Sequence, residues 1–387
     1  MRFAEDTQAV SADTPEARHY NRIHRWLEVS DLLLGLVFLI LLLFTGWNGV
    51  LRDWAYSAAF QNYTLAVFLY VFMLMLGGKL LGIGLDYYGL RLERRFHLSN
   101  QKTRSWLWDE TKGFLVGLLL AGFVAELLYF TIRQSAQHWW LITWAVFMIL
   151  FVVLAQVAPL VLFPIFYKFE PLENEDLKQR LMKLGERAGT KVRGIYKWHL
   201  SEKSKKANAA LTGLGATRRI ILADTLLDHY SPDEIEAVLA HELGHHVHKH
   251  ILKSILVQAA VTLFGFWAAN YVLHLSIEQW GMFDTLSDFS NLPLLVLVAT
   301  VLSILLMPGL NAYSRFNERQ ADRYAFASIR NVQAFINSMN KLAAQNLAER
   351  TPARWVECLF HSHPAISRRV AAAEAWRELR LAANTRS

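Results

Sequence analysis

Long apolar runs alternate with polar stretches along this chain. Six of them can cross a hydrocarbon layer of about 30 Å: roughly Leu32 to Val50, Thr64 to Leu85, Gly113 to Ile132, Trp140 to Leu162, Ile251 to Leu275 and Leu292 to Leu310. Four membrane helices are therefore predicted before a polar segment of about Lys168 to His250, and two after it. Within that segment the periodicity changes. Leu177, Leu181, Leu184 and Ala188 recur at helical spacing and stop at Gly189. Residues 191–198 have a strand pattern. Two apolar runs within 207–223, separated by Gly213, Gly215 and Thr217-Arg218-Arg219, predict a β-hairpin. Then Ser231-Pro232-Asp233-Glu234 has the form of a capping box, with Ser231 as N-cap and Pro232 at the first helical position. Ile235, Val238 and Leu239 follow on one face, so a helix starts here, and it is expected to run straight into the fifth span.

The fold class that results is predominantly α: a multi-pass bundle of about six spans with a small α+β domain beside it. Residues 1–167 form the membrane domain with four spans. Residues 168–387 form the second domain, with a two-span hairpin at about 251–310 and a polar helical tail. Composition agrees, since 53% of 387 residues are hydrophobic and the mean hydropathy is +0.21. The first 28 residues hold several acids and no apolar core, so no cleaved signal is expected.

Charge orients the bundle. Arg2, Arg18, Arg22 and Arg25 precede the first span, and Arg91, Arg94, Arg95, Lys102 and Arg104 follow the second. The loop 276–290 has Glu278, Asp284 and Asp288 but no Lys or Arg, which places both termini and the 168–250 segment in the cytoplasm. This topology accounts for the formal charge of +7 without nucleic acid as a partner, because no aromatic and basic recognition motif accompanies it. The lone Cys358 excludes an intrachain disulfide and fits a reducing compartment. Lys79 and Glu126 lie inside spans at depths too different for a mutual pair, so both are expected to face a wet interior.

The candidate chemistry lies in His241-Glu242-Leu243-Gly244-His245. Two histidines four residues apart on a helix share one face and can bind one Zn²⁺, and the Glu beside the first can act on a water there. His246, His248 and His250 fit ligand spacing less well and are read as surface or supporting residues. A catalytic zinc has three protein ligands as a rule, so one more is needed. Glu318 is the best candidate. Asp322 is one helical turn beyond it and can hold the far nitrogen of a ligand histidine. Two spans separate His245 from Glu318, so the chain returns to the face it left. A single span would have excluded the pairing.

These residues resemble the CAAX prenyl endopeptidase family of integral-membrane zinc metalloproteases, which are gluzincins. The resemblance covers most of the chain from about residue 60 and rests on four blocks: Asn208-Ala209, His241 to His245, Ser314-Arg315 with Glu318 and Asp322, and His363-Pro364 with Arg369. It implies a helix bundle enclosing a chamber, one Zn²⁺ per chain held by His241, His245 and Glu318, and Glu242 as general base. His363 and Arg369 would line the catalytic cleft, and Asn208 with Ala209 would hold the peptide backbone. The implied partners are a peptide or protein substrate, classically a prenylated C-terminal Cys-a-a-X that loses its last three residues, and membrane lipid. Six spans replace the seven of eukaryotic relatives, and His246 stands where those relatives have tryptophan. Both features fit a bacterial branch and a bacterial inner membrane better than the endoplasmic reticulum. A heat-shock-type membrane protease of broad specificity is the alternative enzyme, and a six-span transporter the alternative outside enzymes.

Overall fold

The structure, a computed structural model, describes residues 13–190, 192–213 and 218–385. Arg2, most of the segment read for a cleaved signal's charged start, Gly215 and Thr217 of the expected turn, and the first residue of the 191–198 strand lie outside the described residues.

The amino-terminal half holds α1 (Pro15–Phe44), α2 (Trp47–Ala58), α3 (Tyr63–Arg95), α4 (Thr103–Gln134) and α5 (Trp139–Val157). A π-helical turn, Ala158–Leu162, carries α5 into the short α6 (Phe163–Phe166). The polar segment forms β1 (Phe169–Pro171), α7 (Glu175–Arg187), β2 (Gly194–Trp198), β3 (Ala209–Thr212), β4 (Arg219–Ala223), α8 (Asp224–His229) and α9 (Pro232–Val247). Two long helices follow, α10 (His250–Glu278) and α11 (Leu292–Ser328). The tail is α12 (Val332–Gln345), α13 (Arg354–Phe360) and α14 (Ile366–Asn384). Among the described residues six helices are long and apolar enough to cross a membrane: α1, α3, α4, Trp139–Phe166, α10 and Phe289–Ser328. The protein is an integral multi-pass membrane protein.

The first span differs from its expected extent. Gly46 adopts a left-handed φ of 77°, which ends α1 at Phe44 and lets α2 set off separately. Asn48 and Ala55 face inward from α2, and Arg52 ties it to Asp288 at 2.5 Å. Lys79, partly exposed, is ion-paired with Asp86 and Glu110 at 2.6 and 2.5 Å. It does not meet Glu126, whose Oε1 is buried without a hydrogen bond.

The sheet order is β1-β2-β4-β3, with β2 and β4 parallel and the other pairs antiparallel. The expected hairpin is β3 paired with β4, Ala209 opposite Leu222 and Thr212 opposite Arg219. β3 lies at the sheet's end, so its outer backbone edge has no strand partner among the described residues. Ile195, Ile220 and Leu222 are buried against Leu181 and Leu184 of α7 and against Ile235 and Leu239 of α9. The α9 start is a full capping box: the Glu234 amide donates to Ser231 Oγ, and the Ser231 amide donates to Glu234 Oε2 at 2.7 Å. Such a cap contributes about 1 kcal/mol and fixes where the helix begins.

α9 does not run straight into the fifth span. It ends at His248, and Lys249 takes a left-handed φ of 56° before α10 begins. By contrast α11 has no such break: its 37 residues, about 55 Å at the helical rise, contain the last span and the Ser314 to Asp322 block in one element. α9 and α11 come together at Gly244. A Cβ on that residue would lie 2.8 Å from Ala321 Cα and 2.9 Å from its carbonyl oxygen, both backbone atoms.

Gly244→Ala should therefore cost about 1–3 kcal/mol, the usual penalty for overpacking a rigid contact. The check is the thermal unfolding midpoint in detergent, which should fall; an unchanged midpoint would mean that the two helices separate freely.

Candidate metal centre

The close approach of α9 and α11 brings three side chains together. His241, His245 and Glu318 each offer one ligand atom, and these atoms all lie within 4.8 Å of one another. The nearest pairs are tighter. His241 Nε2 is 3.3 Å from His245 Nε2, His241 Nε2 is 3.2 Å from Glu318 Oε2, and His245 Nε2 is 3.2 Å from Glu318 Oε1. Bonds of about 2.0–2.1 Å in a tetrahedral zinc site put ligand atoms about 3.3 Å apart, so the spacing fits that ion.

The far nitrogen of each histidine has a partner as well. His241 Nδ1 is 2.8 Å from Asp322 Oδ1, one turn along α11 from Glu318. His250 Nε2 meets Gln320 Oε1 at 2.9 Å, and His250 Nδ1 meets His245 Nδ1 at 3.0 Å. Because the Gln320 oxygen can only accept, His250 donates through Nε2 and accepts at Nδ1 from His245. Both motif imidazoles thus carry their proton on Nδ1 and turn an Nε2 lone pair toward Glu318. Glu318 is 4% exposed, and the neighbours of its Oε2 are ring nitrogens, His363 Nδ1 at 2.8 Å and His241 Nε2 at 3.2 Å. Three ligand atoms thus converge in a buried place, an arrangement that suits a cation.

The other sequence candidates fall around this cluster in different ways. Glu242, half-buried, lines a cavity of about 560 Å³ together with His245, Leu211, Thr212 and Gly213. His363 is exposed, with Nδ1 2.8 Å from Glu318 Oε2. Arg315 holds the segment that leads to it, donating from Nη1 to the carbonyls of Glu357 and His361 at 2.8 and 2.7 Å. Arg369 stands beside His241, its Nη2 3.3 Å from Nδ1. It forms a two-pronged ion pair with Asp322, Nε to Oδ2 at 2.9 Å and Nη2 to Oδ1 at 2.7 Å, behind the Nδ1 side of His241. Asn208 is exposed on the wall of a separate polar cavity; its carbonyl accepts from the Ala223 amide at 3.0 Å, and Ala209 begins β3. Of the two readings left open for His250, surface or support, the structure has the second, and Gln320, its partner, was missed. Only the left-handed Lys249 folds His250 back onto α9, and that residue type gives no sign of it.

Two family profiles cover the chain: peptidase family M48 over residues 171–377, and the CAAX prenyl protease N-terminal family, with five membrane helices, over residues 7–168. The chain belongs to peptidase family M48. It is 29% identical to the "uncharacterized metalloprotease YhfN" of Bacillus subtilis, an alignment covering 92% of this chain and 84% of that one. It is also 28% identical to CAAX prenyl protease 1 of Saccharomyces cerevisiae, over 76% of this chain and 68% of the relative. The crystal structure of S. mikatae Ste24p superposes with a TM-score of 0.84 at 22% identity, covering 92% of this chain and 88% of that one. It has the same membrane fold. This M48 peptidase is a membrane metalloendopeptidase resembling the CAAX prenyl proteases, and its family implies a divalent metal.

The proton and the metal compete for His241. Burial and then the Arg369 guanidinium act against the imidazolium, but contacts with Asp322 and Glu318 outweigh both and push its pKa up to about 9, from an ordinary value of 6.5. In chelator-treated protein the resulting stability is full below pH 6.5 and is lost as pH rises through about 9. Thermal midpoints of the metal-stripped protein should decline across that window while zinc affinity climbs, and Asp322→Asn should flatten both trends. A midpoint that rises with pH in stripped wild type but not in the variant would contradict this account.

Proposed function

We propose that this M48 peptidase is a zinc endopeptidase whose ion is held by His241, His245 and Glu318, one ion per chain. The observation that carries the reading is the convergence of three ligand atoms, from two helices, at the edge lengths of a tetrahedral zinc site. Zinc bound there supplies Lewis acidity and lowers the pKa of water toward about 7.

The chain's own residues do the rest. Glu242, on the cavity side of α9, takes the proton of the attacking water and gives it to the leaving amine. His363 donates to the carbonyl oxygen as that oxygen gains charge. The free edge of β3 receives the peptide as an added strand, with Asn208 and Ala209 at one end and Thr212 and Gly213 toward the catalytic cavity. Asp322, fixed by Arg369, keeps His241 in the tautomer that leaves Nε2 free; Arg369 acts through Asp322. The four-span domain of residues 1–167 embeds the peptidase domain of residues 168–387, and the arginine distribution supports a cytoplasm-facing site in a bacterial inner membrane.

The relatives named CAAX prenyl proteases support a prenylated C-terminal Cys-a-a-X as substrate. Glu242→Ala should keep zinc and lose cleavage by about 10²-fold or more, as for removal of a general base. Glu318→Ala should lose the metal; normal zinc content in that variant would sink the ligand assignment. Purified protein offered matched farnesylated and unmodified peptides should cleave the farnesylated one alone, whereas equal cleavage of both would show broad specificity instead.

A further inference from the structure

Three neighbouring helices, α1, α3 and α4, each turn a stripe of exposed residues away from the bundle, and all three stripes change character at the same end. On α1 the stripe runs from Phe44 through Val37 and Leu33 to Trp26, which is 67% exposed, and continues in Arg22 and Arg18. On α3 it runs from Leu80 to Tyr88 and on to Arg91 and Arg95. On α4 it leads from Phe123 through Leu119 and Leu115 to Trp108 and then to Arg104, with Lys102 just before the helix. Steps of three, four and seven residues keep each set on one helical face. Aliphatic side chains thus give way to one aromatic, and the nearest cation stands about 5–6 Å beyond it at the helical rise.

The acids at these helix ends turn the other way. Glu93 pairs with Lys206 at 2.7 Å, Asp109 with Lys203 at 2.6 Å, and Asp86 and Glu110 with Lys79. Among the described residues none is left for Arg91, Arg95 or Arg104, while Arg22 meets only the His19 ring and Arg18 only the Asp13 carbonyl oxygen, each at 3.3 Å. The cations are also held at a fixed level, because the turn between α3 and α4 is tied to the peptidase domain: Ser99 Oγ and the Asn100 amide both donate to the Lys203 carbonyl, at 2.9 and 3.0 Å. At the opposite boundary the cations are engaged within the protein. Arg52 pairs with Asp288 at 2.5 Å, and the Arg133 guanidinium lies 4.1 Å from the Tyr63 ring centre. α5 breaks the pattern as well, since Phe163 and Ile165 are exposed at its end and the next cation, Lys168, meets Glu202 at 3.3 Å.

An aromatic at the hydrocarbon edge with a cation just beyond it faces a lipid at the level of its phosphate. We propose that the outward arc of α1, α3 and α4 binds anionic phospholipid headgroups in the leaflet on the peptidase side, with Arg22, Arg91 and Arg104 as the principal contacts and Trp26, Tyr88 and Trp108 setting the depth. Net headgroup charge is what the arc selects, because a zwitterionic lipid carries an ammonium that offsets its own phosphate. The inference needs only the membrane fold and stands apart from the zinc chemistry.

The experiment compares spin-labelled phosphatidylglycerol with spin-labelled phosphatidylcholine by electron paramagnetic resonance, in phosphatidylcholine vesicles that contain the full chain, where lipid held against the protein appears as a motionally restricted component. Averaged over the whole perimeter, phosphatidylglycerol should be favoured by about twofold or more, and about 1 M NaCl should bring that ratio toward one in the unaltered protein. Arg22→Gln, Arg91→Gln and Arg104→Gln together should lose most of the preference, whereas lysine at the same three positions should keep it. Lys183→Gln, Arg187→Gln and Arg330→Gln remove equal charge from a cavity on the peptidase domain and should leave the ratio unchanged. A wild-type ratio of one, a preference that survives loss of the three arc cations, or one that falls equally in the peptidase-domain variant would overturn the arc as the binding surface.

Discussion

The contact between Gly244 and the backbone of Ala321 is the constraint on which the centre of this molecule depends. A helix pair with ordinary side chains between the axes stands about 8–10 Å apart. Removing the Cβ from one partner lets α9 and α11 approach until His241 and His245, one turn apart, face Glu318. The same approach lines Asp322 up with the far side of His241, so one close contact sets both the converging atoms and their support. The capping box at Ser231 fixes the start of α9, and the buried stripe of Ile235 and Leu239 fixes its rotation against the sheet. Displacement of either helix by a few tenths of an ångström would reach the cluster directly, because nothing compliant lies between.

The support around the cluster is uneven. His241 is held from behind by Asp322, which is itself clamped by Arg369 from α14, in a buried chain of charges. His245 is held by neutral groups, His250 and then Gln320, which carry no such field. The two imidazoles are alike in sequence and unlike in what supports them. His363, by comparison, comes from a segment with its backbone pinned by Arg315 while its ring is exposed, so it can follow a substrate that the other residues only receive.

Much of this was legible in the sequence, for reasons that can be located. Membrane helices announce themselves because about twenty apolar residues have no other stable use, and the hairpin and capping box are local devices with local signatures. The pairing of His241 and His245 follows from helical spacing alone, and the two intervening spans bring Glu318 back to the same face. Other features depend on contacts between distant elements. The break at Lys249 has no glycine to mark it, so the sequence could not choose between a surface and a supporting role for His250. Gly244 gives no local sign of its purpose, since its reason is Ala321, far along the chain. The partners of Lys79, one of them a helix away at Glu110, were hidden for the same cause, as was the pairing of Arg369 with Asp322.

The continuity of α11 bears on how the molecule is made. Glu318 sits on the same rod as the last span, and His241 and His245 leave the ribosome earlier, ahead of the α10 to α11 pair. A nascent chain that has folded its sheet and α9 still has only two members of the cluster. The third arrives when that pair has been threaded into the bilayer and packed against Gly244. Assembly of the cluster therefore waits on the packing of α11 against α9.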